Sequence, residues 1–79
     1  MHEVIKVTPL ENYHLLVKFE NGETKTKNMK DLLDKPAFKP LKDTSLFKSV
    51  IVIDGAITWI TPEGDEIDLC PDKTYQSCK

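Results

Sequence analysis

Tyr13-His14-Leu15-Leu16-Val17-Lys18-Phe19-Glu20-Asn21-Gly22-Glu23-Thr24-Lys25-Thr26-Lys27 has the residue pattern of a β-hairpin. Tyr13, Leu15, Val17 and Phe19 recur at every second position. His14, Lys18 and Glu20 lie between them and Leu16 is the exception, the period of a half-buried strand. Asn21-Gly22 supplies two residues tolerant of positive φ, the preferred centre of a two-residue type I′ turn, so the chain returns from Glu23 to Lys27. With that loop Phe19 faces Thr24 and Val17 faces Thr26, while Glu20 opposes Glu23 and Lys18 opposes Lys25. A one-residue bulge would remove these like-charge pairs but turn Lys25 and Lys27 toward the core beside Val17 and Leu15. Exposed repulsion costs roughly tenths of a kcal/mol and a buried ammonium several. The two-residue register is therefore expected.

A second hairpin follows from Asp54-Gly55, another type I′ signal. It sets Val50 near Trp59 and Val52 near Ile57 on one face, with Ile51, Ile53 and Ile60 on the other. Ser49 to Ile53 is apolar on both faces, the pattern of a central or doubly covered strand. Trp59 alternates with Thr58 and Ile60, which favours core packing over a binding hot spot.

Around the hairpins, Val4, Ile5 and Val7 mark a first strand between His2 and Leu10, ended by Pro9. Asn28 is a good N-cap for a short helix carrying Met29, Leu32 and Leu33 to about Asp34, and Pro36 stops it. Phe38 and Leu41 suggest a compact turn, and Asp43 can cap a helical turn carrying Leu46 and Phe47. Thr61-Pro62-Glu63-Gly64 reads as a turn, Ile67 and Leu69 as a short sixth strand. Pro71 opens a short terminal helix whose Tyr75 packs back. The expectation is a single α+β domain over residues 1–79. It has two antiparallel hairpins with about five to six strands, a short helix between them and a short C-terminal helical turn.

A composition of 39% hydrophobic and 30% charged residues places the chain among folded domains rather than disordered ones. A net charge of −2 gives no global pull toward nucleic acid or anionic membranes. The charge is uneven, since Thr24 to Val50 holds seven lysines against three acids and Ile51 to Lys79 six acids against two lysines. All eleven basic residues are lysines, so the planar fork that Arg brings to phosphate and guanine is missing. Lys25, Lys27, Lys30, Lys35, Lys39 and Lys42 form the candidate interaction surface. It suits an acidic protein partner better than nucleic acid, which stays as the alternative.

No catalytic constellation is visible. His2, His14, Cys70 and Cys78 lack metal-ligand spacing, and His14 reads as an exposed strand residue. Glu63, Asp65, Glu66, Asp68 and Asp72 lack the order of a calcium loop. Ser45, Ser49 and Ser77 have no nucleophile elbow, and no glycine-rich phosphate loop exists. No cofactor or metal is expected, and the chain reads as non-enzymatic. If helical, the stretch between Cys70 and Cys78 separates them by about 12 Å, beyond the roughly 7 Å limit of a disulfide. Reduced thiols and the absence of a signal or spanning segment point to the cytoplasm, with no membrane association.

Phe19-Glu20-Asn21-Gly22-Glu23, Leu32-Leu33, and Phe38, Leu41 and Phe47 leading into Val50-Ile51-Val52 resemble a small prokaryotic family, domain of unknown function (DUF) 2442. Trp59, Gly64-Asp65 and Asp68-Leu69-Cys70-Pro71 with Tyr75 are similar to its closing pattern. The resemblance covers nearly the whole chain, although the residues between Trp59 and Asp68 exceed the compact family form. It implies a bacterial cytoplasmic α+β domain without an established activity. Some relatives carry an added DNA-binding-like helical segment, for which this chain has no room after Tyr75. Members often neighbour another small protein, which implies an antitoxin-like or regulatory partnership. Binding of a protein partner, or self-association as a homodimer, is the leading expectation.

Overall fold

The strand and turn signals resolve into two three-stranded antiparallel sheets. The computed structural model describes residues 2–78. β1 (Val4–Pro9), β2 (His14–Phe19) and β3 (Thr24–Asn28) form the first sheet in that order, and β4 (Ile51–Ile53), β5 (Ala56–Ile60) and β6 (Glu66–Asp68) the second. Between them run 3₁₀ segments at Lys30–Leu32 and Pro36–Lys42, then α1 (Thr44–Lys48); α2 (Pro71–Ser77) follows the second sheet. This is the α+β arrangement the sequence indicates.

The first hairpin departs from the expected register. Lys18 pairs with Thr24, Val17 with Lys25 and Leu15 with Lys27, one residue away from the two-residue-loop alignment. The loop is Glu20-Asn21-Gly22. Gly22 N–H donates to the Phe19 carbonyl (3.0 Å), Phe19 N–H to the Glu23 carbonyl (2.8 Å), and Gly22 takes φ +90°. Asn21 keeps a negative φ and its Oδ1 accepts from Glu23 N–H at 3.0 Å. Like charges no longer face each other, and the expected penalty on the lysines is avoided because their stems are buried while the ammonium groups reach partners at the sheet margin. Lys27 Nζ donates to Ser77 Oγ at 2.6 Å, and Lys25 Nζ lies 3.8 Å from the Tyr75 ring centroid. Both partners come from α2, some fifty residues further along the chain.

Thr61 to Asp65 repeats this three-residue loop, with Gly64 at φ +92° and the bonds Gly64 N–H to Thr61 O (2.9 Å) and Thr61 N–H to Asp65 O (2.8 Å). Asp54-Gly55 is the expected two-residue turn, with φ 51° and 79°. It aligns Ile51 with Thr58 and Val52 with Ile57. The central strand of this sheet is β5, however, and β4 is an edge with Ile51 42% exposed. The apolar run of β4 reflects its place beside the start of β1, where Val4 N–H donates to the Gly55 carbonyl at 2.8 Å.

The core joins both sheets. Val4, Leu15, Val17 and Phe19 of the first meet Ile57 and Trp59 of the second, with Met29, Leu41 and Phe47 from the connection. A bulge between Val4 and Lys6 shifts the β1 register, so that Val4 is buried and Val7 packs against the core while Ile5 stays exposed. Trp59 is fully buried, and its indole N–H donates to the Phe47 carbonyl at 3.0 Å, as its core reading requires. The expected Met29 helix is a single 3₁₀ turn in which Asn28 Oδ1 accepts from Lys30 N–H (2.9 Å). Asp43 Oδ1 accepts from Ser45 N–H (2.9 Å) and caps α1.

Candidate functional site

α2 crosses the margin of the first sheet because Tyr75 is held on three sides. The His2 ring stacks on it at 3.7 Å and 13°, Lys25 faces it, and the Phe19 ring meets it edge-on at 5.1 Å. Asp72 accepts from His2 N–H at 3.2 Å and lies 3.6 Å from His2 Nδ1. The Tyr75 hydroxyl and then the Asn21 amide bond the charged form of Glu23, and with nearby Lys25 they hold its carboxyl below the usual glutamate range.

Two adjoining cavities open between α2, β3 and the 3₁₀ segments. One, of about 440 Å³, is lined by Lys27, Lys35, Lys73 and Asp68 around Phe38 and Leu69, with Cys70 beside them. The other, of about 510 Å³, is lined by His14, Thr26, Asn28 and Asp31. They share Lys27, Leu32 and Ser77, so they form one trough with the Lys27–Ser77 pair in its wall.

Lys27 is the unusual residue here. It is only 8% exposed, and among the described residues no carboxylate pairs with it. Its ammonium donates to Ser77 Oγ, whose hydroxyl in turn donates to the Thr74 carbonyl at 3.2 Å. One of three ammonium protons is thereby used.

Of the six candidate lysines, the structure brings Lys27 and Lys35 to the trough and adds Lys73. Lys25 is engaged with Tyr75 and lies 3.9 Å from Glu23. Lys42 pairs with Asp34 at 3.5 Å, and Lys30 and Lys39 are exposed outside the lining. Lys73 and Ser77 escape a sequence reading because only the true hairpin register turns Lys27 toward α2. The one available signal was the like-charge conflict of the two-residue alignment.

Cys70 is exposed in the trough and Cys78 is buried; both are free thiols. Burial pushes the Cys78 thiol up, partly opposed by Lys27 and Lys25. His14 is half-buried, with Nδ1 2.9 Å from the Asn12 carbonyl. Among the described residues no three His, Cys, Asp or Glu side chains converge as metal ligands, and no helix is long and apolar enough to cross a membrane.

A family model described as Protein of unknown function (DUF2442) matches residues 4–79. The chain belongs to this family. Of the residues that carry the DUF2442 resemblance, Phe19, Leu33, Leu41, Phe47 and Trp59 are buried in the core, whereas Leu32, Phe38, Asp68, Leu69 and Cys70 line the trough. No curated protein and no solved structure matches the chain.

Proposed function

We propose that this DUF2442 protein is a small non-enzymatic interaction module that binds a protein partner through the lysine-bearing trough. The observation that carries this reading is the largely buried Lys27 side chain, whose ammonium forms no ion pair among the described residues and which lines the trough with Lys35, Lys73 and Asp68 over an apolar floor of Leu32, Phe38 and Leu69. A lysine so little exposed is uncommon unless it is paired, so its place in the wall of an open trough marks this surface out. A regulatory or antitoxin-like pairing with another small bacterial protein in the cytoplasm fits this surface. Nucleic acid fits it less well. Lys25 and Lys42 have partners within the chain, and the aromatic rings among the described residues are buried or half-buried, a poor stacking platform for bases.

Affinity capture of the tagged protein at native expression tests the reading. The expected result is a stoichiometric protein partner that is lost from the Lys35→Glu/Lys73→Glu variant while its circular dichroism stays native. A strict monomer in sedimentation that captures no partner, or a partner indifferent to both charge reversals, overturns it.

A further inference from the structure

The trough meets the outer edge of β3 at Thr26–Asn28. The bonds Phe19 N–H to Glu23 O and Met29 N–H to Tyr13 O, both 2.8 Å, place the odd-numbered β3 residues in hydrogen-bonded pairs with β2. By the alternation of an antiparallel ladder, Thr24, Thr26 and Asn28 then turn their backbone N–H and C=O groups away from β2. Among the described residues these groups have no backbone partner. Thr26 and Asn28 from one face of the strand and Lys27 from the other line the same cavity, so the space lies along the edge itself.

We infer that this edge receives an extended acidic peptide segment of the partner as a fourth strand of the first sheet, with a carboxylate of that segment meeting the Lys27 ammonium. The inference rests on the protein-interaction reading and names the chemistry of the partner. Main-chain bonds to Thr24, Thr26 and Asn28 supply affinity, and the side chains on alternate positions supply selection. A five-residue edge admits about five residues of incoming strand, roughly 17 Å. Among the described residues two Lys27 protons are left for a carboxylate, and Lys35 and Lys73 outnumber Asp68 at one end of the trough, while Asp31 lines the other.

Charge decides the occupant. Pairing β3 with its counterpart in a second copy would bring Lys25 and Lys27 against the same lysines, the arrangement by which edge strands resist self-addition. An acidic strand turns that repulsion into attraction.

The test uses the full-length isotope-labelled protein and a seven-residue capped peptide alternating Glu with Thr and Val. Controls are its Gln-for-Glu counterpart and a single-stranded oligonucleotide. The expected result is saturable shifts and slowed hydrogen exchange at the Thr24, Thr26 and Asn28 amides, with about tenfold weaker binding by the Gln peptide and by the Lys27→Met variant. Thr26→Pro removes an outward-facing N–H and spares the ladder to β2, so it should keep the fold and block the peptide. Shifts centred away from β3, undiminished binding by Thr26→Pro, or tighter binding of the oligonucleotide at the same amides overturns the inference. So does absence of peptide binding. If a partner is still captured through Lys35 and Lys73, strand addition fails while the interaction reading stands; loss of that capture sinks both.

Discussion

Lys27 sets a folding requirement against a binding one. Its stem packs beneath α2, where an unbranched apolar chain of similar length would fit, but among the described residues its ammonium is bonded to one hydroxyl and no carboxylate. An apolar side chain of matching shape removes the cost of desolvating the ammonium and leaves no counter-charge stranded among the described residues. Lys27→Met should therefore be as stable as the parent protein in a urea titration, or more stable by up to about 1 kcal/mol, while losing peptide affinity. A clear loss of stability would instead make the Lys27–Ser77 bond a structural one. The two thiols differ in a similarly testable way. Cys70 is exposed and Cys78 buried with its thiol pushed up, so alkylation at neutral pH should modify Cys70 first and Cys78 only with unfolding, read by mass spectrometry. Because the folded-state value is raised, Cys78 contributes stability that is full below the ordinary thiol value of 9.0 and lost as pH rises through the folded value. Cys78→Ala should flatten the alkaline decline in a pH series of urea midpoints.

The three glycine turns differ at the scale of the element. Gly22, Gly55 and Gly64 all have positive φ, but a Cβ at Gly22 or Gly64 meets open space, whereas one at Gly55 comes 3.0 Å from Glu3 Cβ. Left-handed backbone costs an alanine about 1–2 kcal/mol. Gly22→Ala and Gly64→Ala should each lose about that much, and Gly55→Ala more, because Glu3 lies beside the junction of β1 and β4. Equal losses at the three sites, measured by urea titration, would mean that the junction yields freely. These turns also mark the limit of what the residues reveal locally. Asp54-Gly55 fixes its hairpin and register from four neighbours, as the type I′ signal requires. Asn21-Gly22 gives the hairpin but not the register, since a three-residue loop with Gly22 in the same left-handed region fits the same letters. The choice between the two depends on whether Lys25 and Lys27 find partners on the inner side, and Tyr75 and Ser77 lie far along the chain. The trough inherits that dependence. Its lysine-rich character is legible in residues 24–42, but the convergence of Lys27 with Lys73 and Ser77 follows from tertiary packing alone.

The two sheets share one core at the scale of the molecule, and this determines how the trough is lost. Backbone bonds from Val4 N–H to Gly55 O and from Glu20 N–H to Glu3 O, both 2.8 Å, tie β1 to each hairpin. Trp59 from the second sheet sits in the same buried cluster as Phe19 and Leu15 from the first, with Phe47 stacked on it at 6.0 Å. Neither sheet buries its inner face without the other, and a lone three-stranded sheet has little stability of its own. Unfolding should therefore be a single cooperative event. The chain has one tryptophan, so Trp59 fluorescence reports the core directly, and far-UV circular dichroism reports both sheets. The two urea curves should superimpose. The trough adds a third probe, because its walls come from β3 of the first sheet and from α2 beyond the second. Acidic-peptide binding should then fall along the same curve, with no range of denaturant in which the tryptophan is buried and the site already gone. A binding curve that falls first would place α2 outside the cooperative unit, released from Tyr75 and Ser77 while the sheets stay intact, and the peptide site would then be one that opens and closes on a folded core.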